Sequence, residues 1–140
     1  MNFLRDIESG VAKLVATPAL DGLLSVAVRV LLAFIFIMAG YSKIGGYEGT
    51  QGYMEAMGVP GFMLPLVILL ELGGGLALLI GLQTRLIAAA LAGFCVISGV
   101  LFHSDPDPIQ QIMLMKNFAI AGGLLALVRT GAGRFGVDKV

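Results

Sequence analysis

One cysteine, one histidine and no tryptophan exclude several chemistries before any motif is sought. A lone Cys95 cannot pair within the chain, so a disulfide scaffold is excluded, and so is dithiol chemistry carried by this chain alone. One Cys and one His cannot by themselves build a zinc or haem site. Charge is also scarce. Only 13% of the 140 residues are Asp, Glu, Lys or Arg, against roughly 25% in a soluble domain. Nine basic residues balance nine acidic ones without a basic block, which speaks against a nucleic-acid partner. With 58% hydrophobic residues the chain is not a disordered one. Its 20 glycines form no phosphate-binding loop, and those in the long apolar runs do not lie between strand and helix.

What is abundant is long apolar sequence. A spanning helix needs about 20 apolar residues. Four stretches meet this, at about 23–44, 62–82, 86–103 and 109–128. They use most of the chain and leave no room for a separate soluble domain within residues 1–140. The expected fold is all-α, an integral membrane four-helix bundle in one domain. Its boundaries have local causes. Thr17-Pro18 and Asp107-Pro108 read as cap followed by first-turn proline. Thr84 is placed to cap the third span, Val59-Pro60-Gly61 separates the second span from the loop before it, and Gly131 ends the fourth.

Residues 1–16 follow a different pattern. Phe3, Leu4, Ile7, Val11, Leu14 and Val15 recur at helical spacing opposite Arg5, Asp6, Glu8 and Lys13. This predicts a short N-terminal amphipathic helix on the membrane surface rather than a cleaved leader. Basic residues set the expected orientation. With cytoplasmic N- and C-termini, Arg5, Lys13, Arg85, Arg129, Arg134 and Lys139 lie inside, and Lys43 lies outside with Glu48, Glu55, Asp105 and Asp107.

Burying Leu does not drive association in lipid, whereas close backbone approach does. Helix contacts are therefore expected at Gly40, Gly73, Gly74, Gly75, Gly81, Gly122 and Gly123. Such stripes suit a compact bundle and a homo-oligomer equally. Gly74–Leu79 also resembles Gly122–Leu127, a likeness that two related hairpins or the ordinary Gly, Ala and Leu content of membrane helices would both produce.

Charges within the spans mark the candidate site. A charge at the bilayer centre costs about 2.5–3.5 kcal/mol on insertion scales, so each needs a partner or a function. Arg29, Ala33, Phe36, Gly40 and Lys43 share one helix face, and Glu71 lies mid-span in the second segment. The simplest expectation is an Arg29–Glu71 ion pair. Lys43, His103, Lys116 and Asn117 form a second set, donors opening toward the outer face and suited to a quinone carbonyl or an anion. Lys116 is expected to reach Asp105, Asp107 or Glu71. Cys95, among apolar residues, reads as inert packing.

The run RVLLAFIFIMAGYSKIGGYEGTQGYMEAMGVPG, then Glu71 with GGGLALLIGLQTR, then KNFAIAGGLLAL, resembles the DoxX family of small bacterial membrane proteins over roughly residues 25–131. The matching positions are Arg29, Gly40, Lys43, Gly58, Pro60, Glu71, Gly81, Arg85, Lys116, Asn117 and Gly123. The resemblance implies a four-helix bundle in the bacterial cytoplasmic (inner) membrane. The family takes its name from a subunit linked to a terminal quinol oxidase and to thiosulfate:quinone chemistry. Relatives working with thiols often rely on cysteine pairs, which this chain lacks. The implied role is an accessory subunit of a membrane redox system, not catalytic alone, with an oxidoreductase partner, a bound quinone and no cofactor built into the chain. A small proton-coupled transporter using Glu71 and a structural or assembly protein are the competing readings.

Overall fold

The structure is a computed structural model and describes residues 2–139. Among the described residues six helices follow in order: α1 (Asn2–Val15), α2 (Pro18–Gly45), α3 (Tyr47–Ala56), α4 (Gly61–Ile80), α5 (Thr84–Phe102) and α6 (Pro108–Thr130). There is no strand among the described residues. Helices α2, α4, α5 and α6 are long and apolar enough to cross a membrane. The segment expected as a loop after the first span instead forms α3. It is a polar helix with one buried residue, Met54, and its low apolar content conceals it from a search for spans. Helix α1 buries none of its residues, and Phe3, Leu4, Ile7, Val11 and Leu14 remain exposed along it.

The spans pair as α2 with α4 and α5 with α6. The two pairs meet at the end of the bundle that holds the α4–α5 turn. There Ala33, Leu78, Ala88, Leu91 and Leu124 are fully buried in one apolar core. Toward the α3 end the pairs part. The α4–α5 contact lies in the Gly74–Ile80 half of α4, and Gly123 of α6 meets Leu32 of α2 within the same half.

Glycine sets the α2–α4 approach. A Cβ on Gly40 would lie 2.7 Å from the Leu72 backbone nitrogen, and one on Gly75 would lie 2.8 Å from Ile37 Cγ1. Gly74 is in ordinary contact with Ile87 and Leu91. Gly73 and Gly122, also expected as contacts, face no neighbouring helix: a Cβ on Gly73 would meet only Leu69 of its own helix, and one on Gly122 would meet nothing. Their spacing fits the pattern, but rotation turns them off the interface. Gly40→Ala is therefore expected to cost about 1–3 kcal/mol through overpacking against backbone. Gly122→Ala should be neutral or stabilising by about 0.5–1 kcal/mol, since it removes a helix glycine without a clash. Thermal unfolding of both variants in detergent checks the contrast.

Three expected caps differ in detail. Thr17 precedes Pro18, but its hydroxyl donates back to Leu14 O at 2.7 Å. Asp107 precedes Pro108 without a side-chain cap bond, and Asp105 Oδ1 takes the Asp107 N–H at 2.9 Å instead. Thr84 is already inside α5, and the cap comes from the C-terminal tail. Asp138 Oδ1 and Oδ2 each accept a backbone N–H, from Gln83 and Thr84, both at 2.8 Å. No local pattern reveals a cap supplied from 54 residues away. Gly131 ends α6 at φ 77°, as expected.

The Thr84 N–H bond first, then the Gln83 N–H bond, hold the Asp138 carboxyl below its ordinary value of 3.8. A group whose folded value is depressed contributes stability above its unfolded value and loses it as pH falls through the folded one. The Tm difference between the wild type and Asp138→Ala should accordingly be present at neutral pH and vanish on acidification below that range. A difference independent of pH would contradict the cap.

Candidate functional site

Where the helix pairs part they enclose a cavity of about 740 Å³, within the range of small-molecule sites. Its walls are mostly apolar, with Ile35, Phe36, Val67, Leu70, Phe94 and Ile120 among them. Lys43, Glu71, His103, Lys116 and Asn117 all line it. Five of the six predicted site residues thus converge on one space, with Thr50 and Tyr53 of α3 and Ser98 of α5 joining them.

Glu71 sits in a turn of α4, Leu69–Gly73, that is wound as π-helix. Such turns are rare and often mark functional positions. The wider winding lies beside Gly40, whose α-carbon packs against the Leu72 backbone. The Glu71 side chain is only 4% exposed. Its partner is Lys43, whose Nζ lies 2.8 Å from Glu71 Oε1. Oε1 accepts no well-angled hydrogen bond, so charge and proximity define this contact. The Lys43 side chain is 26% exposed and reaches down one wall of the cavity.

The expected Arg29–Glu71 pair is not formed. Arg29 is 2% exposed and faces the opposite end of the bundle. Its guanidinium donates to backbone carbonyls: Nε to Ala132 at 3.0 Å, Nη1 to Leu79 at 2.5 Å and Leu78 at 3.4 Å, and Nη2 to Phe135 at 3.2 Å. Helix α4 ends at Ile80 and Gly81 takes φ 76°, which leaves terminal carbonyls available to a cation. Arg29 joins them to the tail after α6. Arg85 similarly caps α6, donating to Val128 at 2.8 Å and Arg129 at 2.6 Å. A search for carboxylate partners overlooks backbone carbonyls, and these are what satisfy Arg29.

The other polar groups are held more locally. Asn117 Nδ2 donates to Cys95 O at 3.1 Å, which ties α6 to α5. His103 Nδ1 pairs with Gln110 Oε1 at 2.6 Å. Lys116 reaches none of the expected carboxylates, and its Nζ is 3.6 Å from Met113 Sδ, a weak acceptor. Above the cavity, Tyr53 of α3 stacks on Phe102 of α5 with ring centroids 5.5 Å apart.

A family model described as DoxX matches residues 24–104, more than half the chain. The chain belongs to the DoxX family. The match includes Arg29, Lys43, Glu71 and His103. This DoxX protein is 55% identical to the "Inner membrane protein YqjF" of Escherichia coli (strain K12) over 113 residues, 80% of this chain and 87% of that protein. It is 31% identical to the "Inner membrane protein YphA" of the same organism over 147 aligned positions, covering 99% of each. A shorter match, 38% over 64 residues, covers 46% of this chain and 48% of the "Putative oxidoreductase CatD" of Bacillus subtilis (strain 168). No solved structure matches. With its four apolar helices and these relatives, the DoxX protein is a multi-pass inner-membrane protein in contact with the bilayer.

Proposed function

We propose that this DoxX protein is an accessory membrane subunit of a quinone-linked redox system, and that its cavity holds the head of a lipid-soluble quinone. The observation that carries the reading is the pairing of a large apolar cavity with free donors beside a buried carboxylate. The donor set fits an oxygen-rich ring. Lys43 spends one contact on Glu71 and has N–H bonds to spare, and Lys116 meets only a thioether sulfur. Glu71 lines the same space as a carboxylate held against the Lys43 ammonium at 2.8 Å.

A quinone supplies reversible two-electron, two-proton chemistry. The chain's own part is to bind, orient and exclude water. Lys43 and Lys116 donate toward the carbonyl oxygens, the Glu71 carboxylate accepts a proton at Oε1, and the apolar walls keep the ring out of water. Electrons then require a partner protein, since the chain's own side chains offer no redox pair. The oxidoreductase in the name of CatD agrees with that assignment. A transporter needs a path through the bundle, and the closed core of Ala33, Leu78, Leu91 and Leu124 below Glu71 favours binding over passage.

The basic residues Arg85, Arg129 and Arg134 at the tail end favour cytoplasmic termini. An alkaline phosphatase fused after residue 140 is then expected to be inactive, and periplasmic activity would reverse the orientation. Gentle detergent purification followed by mass spectrometry of bound lipids and proteins tests the function. Quinone and an oxidoreductase should co-purify. Recovery of neither would overturn the proposal.

A further inference from the structure

The cavity has two possible mouths, one toward water at the α3 end and one toward the bilayer between α4 and α5. The first is roofed. Thr50, Tyr53 and Met54 of α3 lie over it, Met54 is buried, and Tyr53, half exposed on its outer side, is stacked on Phe102. The second is open. Ala89, Ala90, Gly93 and Ile97 line the cavity from α5, yet all four are exposed. A Cβ built on Gly93 would meet nothing within 4 Å. Across from them Met63 is also exposed, and Val67 and Leu70 are half-buried. On the other side Ile35, Ala39, Met113 and Ile120 are half-buried, and only Lys116 among the wall residues of α6 is exposed.

An apolar opening at membrane depth faces acyl chains rather than water. Its small residues leave a slot, and its inner end leads to the Lys43–Glu71 pair. We infer that Met63, Val67 and Leu70 of α4 and Ala90, Gly93 and Ile97 of α5 frame a lateral portal, through which a lipid-phase ligand enters head first and in which its hydrocarbon tail remains. The identity of the head as a quinone rests on the function proposed above, whereas the portal itself does not.

The absence of Trp provides a clean optical test. Phe94→Trp places a single Trp on the cavity wall, and Phe34→Trp places one on the exposed, lipid-facing side of α2 as a control. Each is reconstituted in phosphatidylcholine vesicles whose acyl chains carry bromine, a contact quencher. The Trp at 94 should be quenched, and adding Ala90→Leu with Gly93→Leu should abolish that quenching while the control Trp stays quenched. A Trp at 94 that is never quenched, or quenched equally with the portal filled, overturns the inference. The same filled variant separates portal from head site. It should lose a long-chain ubiquinone but keep a tailless dimethoxy-methyl-benzoquinone. Should neither quinone bind even the unfilled protein while quenching behaves as expected, the portal stands and the quinone reading fails.

Discussion

Arg29→Met is expected to be the most destabilising single substitution in the chain. The guanidinium donates to carbonyls of Leu78 and Leu79 at the end of α4 and of Ala132 and Phe135 in the tail, all while 2% exposed. A hydrogen bond to a charged group contributes about 1.5–3 kcal/mol. Met keeps the length of the stem but leaves several carbonyls without a donor. A loss of about 3–5 kcal/mol follows, the scale seen when one member of a buried charged interaction is removed. The tail is additionally anchored by Asp138 and by the Val137 N–H, which donates to Ile80 O at 3.0 Å. Removing Arg29 should therefore loosen residues 131–139 before the bundle melts. Detergent unfolding midpoints and proteolysis after Gly131 report the two effects. Unchanged stability and an uncut tail would remove Arg29 from this role.

The second large effect belongs to the pair in the cavity, and it is asymmetric. Lys43→Met leaves the Glu71 carboxylate 4% exposed with no counter-charge. Breaking a buried pair from this side should cost about 2–3 kcal/mol, the lower end of the range for such pairs because the carboxyl can take up a proton. Glu71→Leu leaves Lys43, which is 26% exposed near the end of α2. Its ammonium can extend toward the interface, so the cost should be nearer to 1 kcal/mol. Replacing both should recover most of the stability, because an apolar pair of similar volume carries no desolvation penalty. Equal costs for the two single changes, or a double variant as unstable as Lys43→Met, would show that the pair is not the unit described.

The sequence made the spans legible because length and hydropathy are read over many residues at once. It made the cavity residues legible because a membrane tolerates few charges: Lys43, Glu71, His103, Lys116 and Asn117 were conspicuous and all line one space. Arg29 is conspicuous for the same reason, but its partners are backbone carbonyls that no residue pattern displays. The Lys43–Glu71 pairing depends on how far α2 slides along α4, and that is fixed by the Gly40–Leu72 approach rather than by counting residues from assumed membrane edges. Helix α3 and the Asp138 cap were invisible for a related reason: each is set by tertiary contact, through Tyr53 on Phe102 and through a tail that folds back across the bundle.

On the function proposed above, the pair in the cavity serves a ligand as well as the fold. Counting quinone per chain in nanodiscs loaded with ubiquinone, for the wild type and for the double variant Lys43→Met/Glu71→Leu, separates the two roles. Near-stoichiometric quinone is expected on the wild type and its loss from the double variant, with unfolding midpoints close to each other. Equal quinone on both proteins, or none on either, would contradict that function.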